Sequence, residues 1–517
     1  MANKNLFKSM LGRLVPFADA TNYAGGAAYT LAPRQALAQY AATGCLNTTF
    51  YADAEDQLFK VVQLCEELDA DFIAKTALFC RERAFMKDMP ALLCAMLSIV
   101  GKEQLRKVFP RVIDNGRMLR NFVQILRSGQ TGRKSLGSLP KKLVLEWLDS
   151  RSDEQLFRDS VGNDPSLADL LKMVHPKPKT KQREALFGYL IGRPHNAELL
   201  PDLVKAFEAF KKGDRAHVPD VPFQMLTALD LKSEDWAAIA RHAGWQMTRM
   251  NLNTFARHEV FAVKGMEELI AQRLRDEAAI VKARVFPYQL LAAFRSAGDE
   301  VPGNVKEALQ DAMEIAIRNV PAVPGQVYVF PDVSGSMQSP VTGFRPGAAS
   351  TVRCVDVAAL VAAALLRQNR QAKVIPFEQK VVEIDLNPRD SVMTNAQKLA
   401  QVGGGGTNCS APLALLNERK ATGDLVVYVS DNQSWVDAGA RRGTETLVQW
   451  NRFKERNPKA RLICIDLQPY GTTQAAEGED ILNVGGFSDQ VFTVTADFAA
   501  GRLHPDHWVG VIEATEL

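Results

Sequence analysis

The sequence predicts an α-helical solenoid over residues 1–323 followed by a doubly wound α/β domain over 324–517. Three observations carry this reading. At 517 residues the chain is too long for one hydrophobic core. Up to about residue 320 apolar residues recur at helical spacing, with Gly, Pro and polar punctuation between the runs. From Pro321-Ala-Val-Pro324-Gly325 onward, continuous apolar β-type runs alternate with helical stretches. That alternation marks a parallel sheet covered on both faces.

The helical part is predicted at 56–68, 70–83, 90–99, 104–113, 118–126, 141–148, 183–190, 199–210 and 305–318. Short helices in series can stack in pairs into a solenoid, although no fixed sequence period is present. Two basic stretches, 128–140 and 175–183, interrupt the series and read as exposed loops, where binding residues tend to sit. Trp147, Trp236 and Trp245 lie among apolar residues at helical spacing and are expected in the core.

In the α/β part, strands are predicted at 326–330, 372–377, 381–384, 424–429 and 461–467, with helices at 351–370 and 444–456. Ligands of such sheets bind beyond the carboxyl ends of the strands. Chemistry is therefore expected just after Phe330 and just after Val429.

Those two places read Asp332-Val-Ser334-Gly-Ser336 and Ser430-Asp431-Asn-Gln-Ser434, and the loop Gly403-Gly-Gly-Gly-Thr407 lies between them in sequence. Asp332, Ser334 and Ser336 alternate along an extended turn, so their oxygens can converge on one point. Thr407 follows a glycine run whose backbone can approach closely. Carboxylate and hydroxyl oxygens are hard ligands, suited to Mg²⁺, with Ca²⁺ or Mn²⁺ as alternatives, rather than to zinc. No histidine lies between residues 331 and 500 to serve as a general base, so binding rather than catalysis is expected.

Composition and charge narrow the partners. No apolar run reaches the ~20 residues of a membrane span, and residues 1–10 lack the apolar core of a secretory signal. The seven cysteines are scattered without a C-x-x-C pair, which argues against a disulfide framework or a cysteine zinc site and for a reducing cytoplasm. Residues 324–517 hold 18 Lys and Arg against 21 Asp and Glu, whereas 102–183 hold 18 against 9. A local excess of that size is either the footprint of a polyanion or a set of solvated helix faces.

The D-x-S-x-S turn, Thr407 and Asp431, in that order and spacing, resemble the metal-ion-dependent adhesion site of von Willebrand factor A domains, at all five positions. In the helical part, Asn22-Tyr-Ala-Gly-Gly-Ala-Ala-Tyr29 with Gly44-Cys-Leu-Asn-Thr-Thr-Phe-Tyr51, Leu170-Leu-Lys172-Met-Val-His175-Pro-Lys177-Pro178, Arg249-Met-Asn-Leu252 and Val281-Lys-Ala-Arg284-Val-Phe-Pro287 resemble segments of the TROVE module of the Ro autoantigen family. An A-type domain after that module is the family's domain order, so the resemblance covers nearly the whole chain.

The resemblance implies a ring of HEAT-like helical repeats, 1–323, joined by the A-type domain, 324–517, with closure depending on contacts between residues 5–23 and that domain. It implies binding of Y RNA or a similar small non-coding RNA and of the single-stranded 3′ ends of misfolded RNAs. It also implies a role in RNA quality control or as a scaffold for an exoribonuclease such as polynucleotide phosphorylase. The adhesion-site geometry leaves one coordination position for a partner's carboxylate. A monomer, away from membranes, is expected.

The RNA-facing candidates are Arg117, Arg120, Arg127, Arg133, Lys134, Lys141, Lys142, Arg158, Lys172, His175, Lys177, Lys179 and Lys181. His175 matches the histidine of the family's RNA-contacting segment and Arg158 one of its basic positions. The next basic positions of the family hold Asp159, Ser160, Val161 and Gly162 here, so Lys172, Lys177, Lys179 and Lys181 are expected to substitute. Lysine and arginine supply sequence-tolerant affinity for phosphate. The His175 imidazole can stack on a base or donate to a phosphate, or cap a helix carbonyl before Pro176. Arg284 reads equally as an ion-pair partner. The competing readings are a metal-dependent protein-interaction scaffold without an RNA ligand and, less favoured, a metal-dependent nuclease.

Overall fold

The structure, a computed structural model, describes residues 15–162, 165–283, 285, 287–318, 320, 322–344, 352–435, 443–487, 490–502 and 507–517. The chain forms two compact units. One comprises Cys65–Arg284, Ala293–Ala312 and Thr515–Leu517; the other comprises Met1–Leu64, Val285–Ala292 and Met313–Ala514. The units thus cut the chain differently from a single boundary at 323/324, because the chain before Cys65 is grouped with the A-type half.

The first unit is helical, and local sequence sets its helix ends. In Gly116–Ser128 the buried residues Met118, Leu119, Phe122, Val123 and Leu126 recur every three or four positions, giving one apolar stripe. The Asn115 side chain accepts from Met118 N at 3.0 Å, and Gly129 ends the helix at φ 86°. That conformation suits a residue without Cβ. Leu167–Val174 opens on a reciprocal Ser166–Asp169 capping box and ends at His175, whose φ is 52°. The Thr180 hydroxyl caps Lys181–Leu190 by accepting from Arg183 N at 3.1 Å. Each such cap is worth about 1 kcal/mol. Trp147 and Trp245 are buried as expected, donating to Ile113 O and Leu274 O, and buried Trp236 stacks on His258.

The second unit is built on a parallel sheet. Numbering all strands along the chain, β1 is Ala20–Thr21, β2 Ala27–Thr30, β3 Val327–Pro331, β4 Lys373–Val374, β5 Leu425–Ser430, β6 Arg461–Asp466, β7 Thr472–Thr473 and β8 Ile481–Gly485. The large sheet runs in the order β4-β3-β5-β6-β8, with every neighbouring pair parallel. β3 and β5 are buried at every residue, the consequence of cover on both faces. Tyr328, Phe330, Tyr428 and Leu462 pack into one cluster with Trp450 and Phe453 of Glu445–Arg456. The apolar helix Cys354–Gln368 also packs on β3 and β5.

The strand expected over 381–384 is corrected: Val381 pairs with Phe377 only in an isolated bridge, and Val382 N donates to Pro376 O at 2.8 Å, which turns the chain back. The sequence reading missed β8 and the N-terminal additions. β1 and β2 pair antiparallel, and β2 continues antiparallel onto β7. Helix Pro33–Thr43 lies against β8, where a Cβ on Gly485 would stand 2.9 Å from the Gln39 backbone. All seven cysteines are free and buried. No helix among the described residues is long and apolar enough to cross a membrane.

Candidate metal centre

Four of the expected oxygen ligands, Asp332, Ser334, Ser336 and Asp431, come together at the carboxyl end of the large sheet, and the fifth, Thr407, lies on the loop laced to them. β3 and β5 are register-paired through Pro331 and Val429, so Asp332 and Asp431 leave the sheet from adjacent strands at nearly the same level. Past Asp332 the chain turns: Ser334 N donates to Asp332 Oδ1 at 2.8 Å, and the Ser334 and Ser336 hydroxyls lie 3.4 Å apart. The glycine run is laced to this turn by Gly404 N to Val333 O at 2.8 Å and Gly335 N to Gly405 O at 2.7 Å. Gly403 adopts φ 83°, and a Cβ on Gly406 would meet the Trp435 ring at 2.4 Å. The run is therefore required both to turn and to let Thr407 approach. Two further residues support the site: Ser430 donates to Asp332 Oδ2 at 2.6 Å, and Glu378 accepts from Gly405 N at 2.7 Å.

All five candidate ligands are buried, none more than 5% exposed. Burial, and then the charge of Asp431, pushes the Asp332 carboxyl up from its ordinary range, against hydrogen bonds from Ser334 and Ser430. Burial pushes Asp431 up as well. Asp431 Oδ1 accepts from Gln433 N at 3.3 Å and Ser336 also acts on the carboxylate, while its Oδ2 has no hydrogen-bond partner among the described residues. Two facing buried carboxylates with an oxygen left unspent form an electrostatically incomplete arrangement, costing several kcal/mol unless a counter-charge joins them. A hard divalent cation fits: Asp332, Ser334, Ser336, Thr407 and Asp431 would hold it, and every donor is oxygen.

Sequence reasoning missed a third carboxylate nearby. Asp466, at the end of β6 and level with Ser430, is buried and pushed well up, first by desolvation and then by Asp431. Gln39 and Asn432 both donate to it. Gln39 belongs to the N-terminal helix, so no local spacing could have signalled the contact.

The basic candidates separate into two groups. Arg117, Lys134, Lys142, Lys172, His175, Lys177, Lys179 and Lys181 are exposed, as is Arg127, whose Nη1 lies 3.3 Å from Met173 Sδ. Lys141 is half-buried. Lys179 pairs with Asp149 at 2.8 Å and Lys142 with Glu146 at 3.7 Å. Arg133 donates to Ser98 O at 3.1 Å, and Arg158 to Asp220 Oδ2 at 2.8 Å. Arg120 leaves the RNA-facing set: it is 9% exposed and donates to Asp159 O at 2.8 Å, fastening the 159–162 turn. Arg284 and His504 lie outside the described residues, as does the part of the expected 5–23 contact that precedes residue 15.

Comparison with known proteins finds two domain matches along the chain. A family model described as the TROVE domain matches residues 114–327, and one described as the Ro60 vWA domain matches 326–499. The chain is 24% identical to the RNA-binding protein RO60 of Deinococcus radiodurans, over 93% of its own length and 95% of that protein's. It superposes on the crystal structure of the Deinococcus radiodurans RO (RSR) protein with a TM-score of 0.63 at 21% identity, covering 91% of this chain and all of the other.

Proposed function

The chain belongs to the Ro family, with a TROVE domain followed by a Ro60-type von Willebrand factor A domain, and on that premise we propose that it is an RNA-binding protein. One observation carries the reading within the TROVE-matched region. Lys172, His175, Lys177, Lys179 and Lys181 stand exposed along the end of one helix and the loop to the next, with Arg127 reaching the same helix at Met173. Phosphates of a structured RNA suit such a row. The His175 backbone N–H closes the helix on Leu171 O at 3.0 Å, which leaves its imidazole outside, available to a base or phosphate.

In this reading the ligands are a Y-type small non-coding RNA and the single-stranded 3′ ends of misfolded RNAs. The protein acts in RNA quality control or as a scaffold for an exoribonuclease. In this reading it binds and does not cleave, since no histidine lies between residues 331 and 500 to act as a general base at the metal centre. The divalent ion, Mg²⁺ first among the candidates, supplies positive charge that neutralises Asp332 and Asp431 and holds three loops together.

The test is to purify the full chain from its own cells and sequence the RNA that travels with it. One or a few structured small RNAs, lost when Lys177, Lys179 and Lys181 are replaced together by Gln, are expected. Recovery of no RNA, together with capture of an acidic protein that Asp332→Ala abolishes, would instead establish the scaffold reading.

A further inference from the structure

A metal centre of this type is ordinarily open on one side, yet here every candidate ligand is at most 5% exposed. The chain's own N-terminal segment is fastened to the loops that bear these ligands. Asn47 Nδ2 donates to Thr342 O at 2.8 Å, and Thr48 pairs antiparallel with Phe344, whose N–H donates to Thr48 O at 2.6 Å. That pairing lays residues 47 and 48 beside 342–344, on the loop that continues from the D-x-S-x-S turn. The Tyr51 ring then packs edge-on against Tyr470, with centroids 5.7 Å apart, and Tyr470 in turn meets Tyr23 at 5.4 Å. A second attachment grips the other metal-site loop just beyond Asp431: Asn22 Nδ2 donates to Ser434 O at 2.6 Å and Tyr23 N to Gln433 Oε1 at 2.8 Å.

Beside these attachments, the groups that act on the Tyr51 phenol are Asp431, the Ser336 hydroxyl, Asp332 and Cys409, of which the first three are candidate ligands. Asp431 Oδ2 lies in the same surroundings without a hydrogen-bond partner among the described residues.

We propose that Tyr51 is a positioning residue of the metal centre, closing the side from which an external carboxylate would enter, so that ion binding and docking of the N-terminal segment on the A-type domain are one linked event. The inference rests on the metal reading above and deepens it: the occupant of the free side is the chain itself. Linkage requires reciprocity, so whatever the segment's docking adds to ion affinity, the ion returns as protection of the segment. Tyr51 is suited to the task, since its ring packs against Tyr470 and its segment is fastened to the loop that follows the D-x-S-x-S turn.

The experiment uses the full chain. Mg²⁺ and Mn²⁺ affinity is measured calorimetrically for the unaltered protein, Tyr51→Phe and Asp332→Ala, and hydrogen exchange of residues 44–53 is followed with and without each ion. Tyr51→Phe keeps the ring packing and is expected to weaken ion binding about 3–30-fold. In the unaltered protein the ion is expected to slow exchange at 44–53, in Tyr51→Phe less so, and in Asp332→Ala not at all. Equal affinities for the unaltered protein and Tyr51→Phe, with exchange at 44–53 indifferent to the ion, would overturn the proposal and leave the metal centre standing. Binding of neither ion by the unaltered protein would instead remove the metal reading itself.

Discussion

Ser430 Oγ donates a 2.6 Å hydrogen bond to Asp332 Oδ2 across the β5–β3 pairing. With Ser334 N on Oδ1, both oxygens of Asp332 are committed within the fold, whereas Asp431 retains one unspent oxygen. The two carboxylates therefore differ in their tasks: Asp332 organises the turn that presents the serine hydroxyls, and Asp431 offers the freest anionic ligand atom. Their different mutational outcomes follow from this.

Asp431→Asn is expected to stabilise the metal-free protein by about 1 kcal/mol, by removing one of two facing buried charges, while lowering Mg²⁺ affinity at least tenfold. Asp332→Ala is expected to destabilise in the absence and presence of metal alike, because Ser430 Oγ and Ser334 N lose their acceptor. Thermal melts in EDTA and in Mg²⁺ distinguish the two. A fall in the EDTA melting temperature of Asp431→Asn would contradict the charge argument.

Metal stabilisation should increase with pH. Asp332 is pushed up to about 7 in the folded protein from an unfolded value near 3.9. Between those values the folded state holds the proton that the unfolded state has released, so metal-free stability falls as pH rises through this window. The ion must displace that proton below about 7 but meets an ionised site above it. The rise in melting temperature on adding Mg²⁺ is thus expected to be larger at pH 8 than at pH 6, and an equal rise at both would count against the assignment.

Arg120 and the lysine loop should fail in different ways. Arg120→Ala leaves the Asp159 carbonyl without its donor beneath the 159–162 turn, for an expected loss of roughly 1–3 kcal/mol of stability and little change in the salt dependence of RNA binding. Chemical denaturation alongside an RNA titration checks both halves.

Replacing Lys177, Lys179 and Lys181 together with Gln should leave the melting temperature within about 1 °C and lower RNA affinity. The slope of log affinity against log salt should fall by roughly 2, somewhat less than three full phosphate contacts would give, because Lys179 already shares its charge with Asp149.

The A-type sheet and the turns that bear the candidate ligands were legible because buried parallel strands are written as unbroken apolar runs, as in Val327–Pro331 and Leu425–Ser430, and because the oxygen-rich turns at Asp332 and Asp431 follow such runs. β8 escaped notice because Asn483 interrupts its apolar character, for a local reason: its side chain bonds Thr473 Oγ1 and Ala475 O. The N-terminal cover was illegible for a different reason. β1 and β2 are two and four residues long, and Gln39 and Tyr51 meet partners hundreds of residues away, which no local period can announce. Arg120 was misplaced because an amphipathic helix pattern does not say which arginine turns inward to a backbone carbonyl.

The central claim, that exposed basic residues of the TROVE region bind RNA through its phosphates, is tested most directly by titrating the full chain with a structured small RNA between about 50 and 200 mM salt. Tight binding is expected at the low end and a loss of about 10³-fold or more across the range, as release of counterions from several phosphates requires. Affinity unchanged over that range, or no binding at 50 mM, would contradict it.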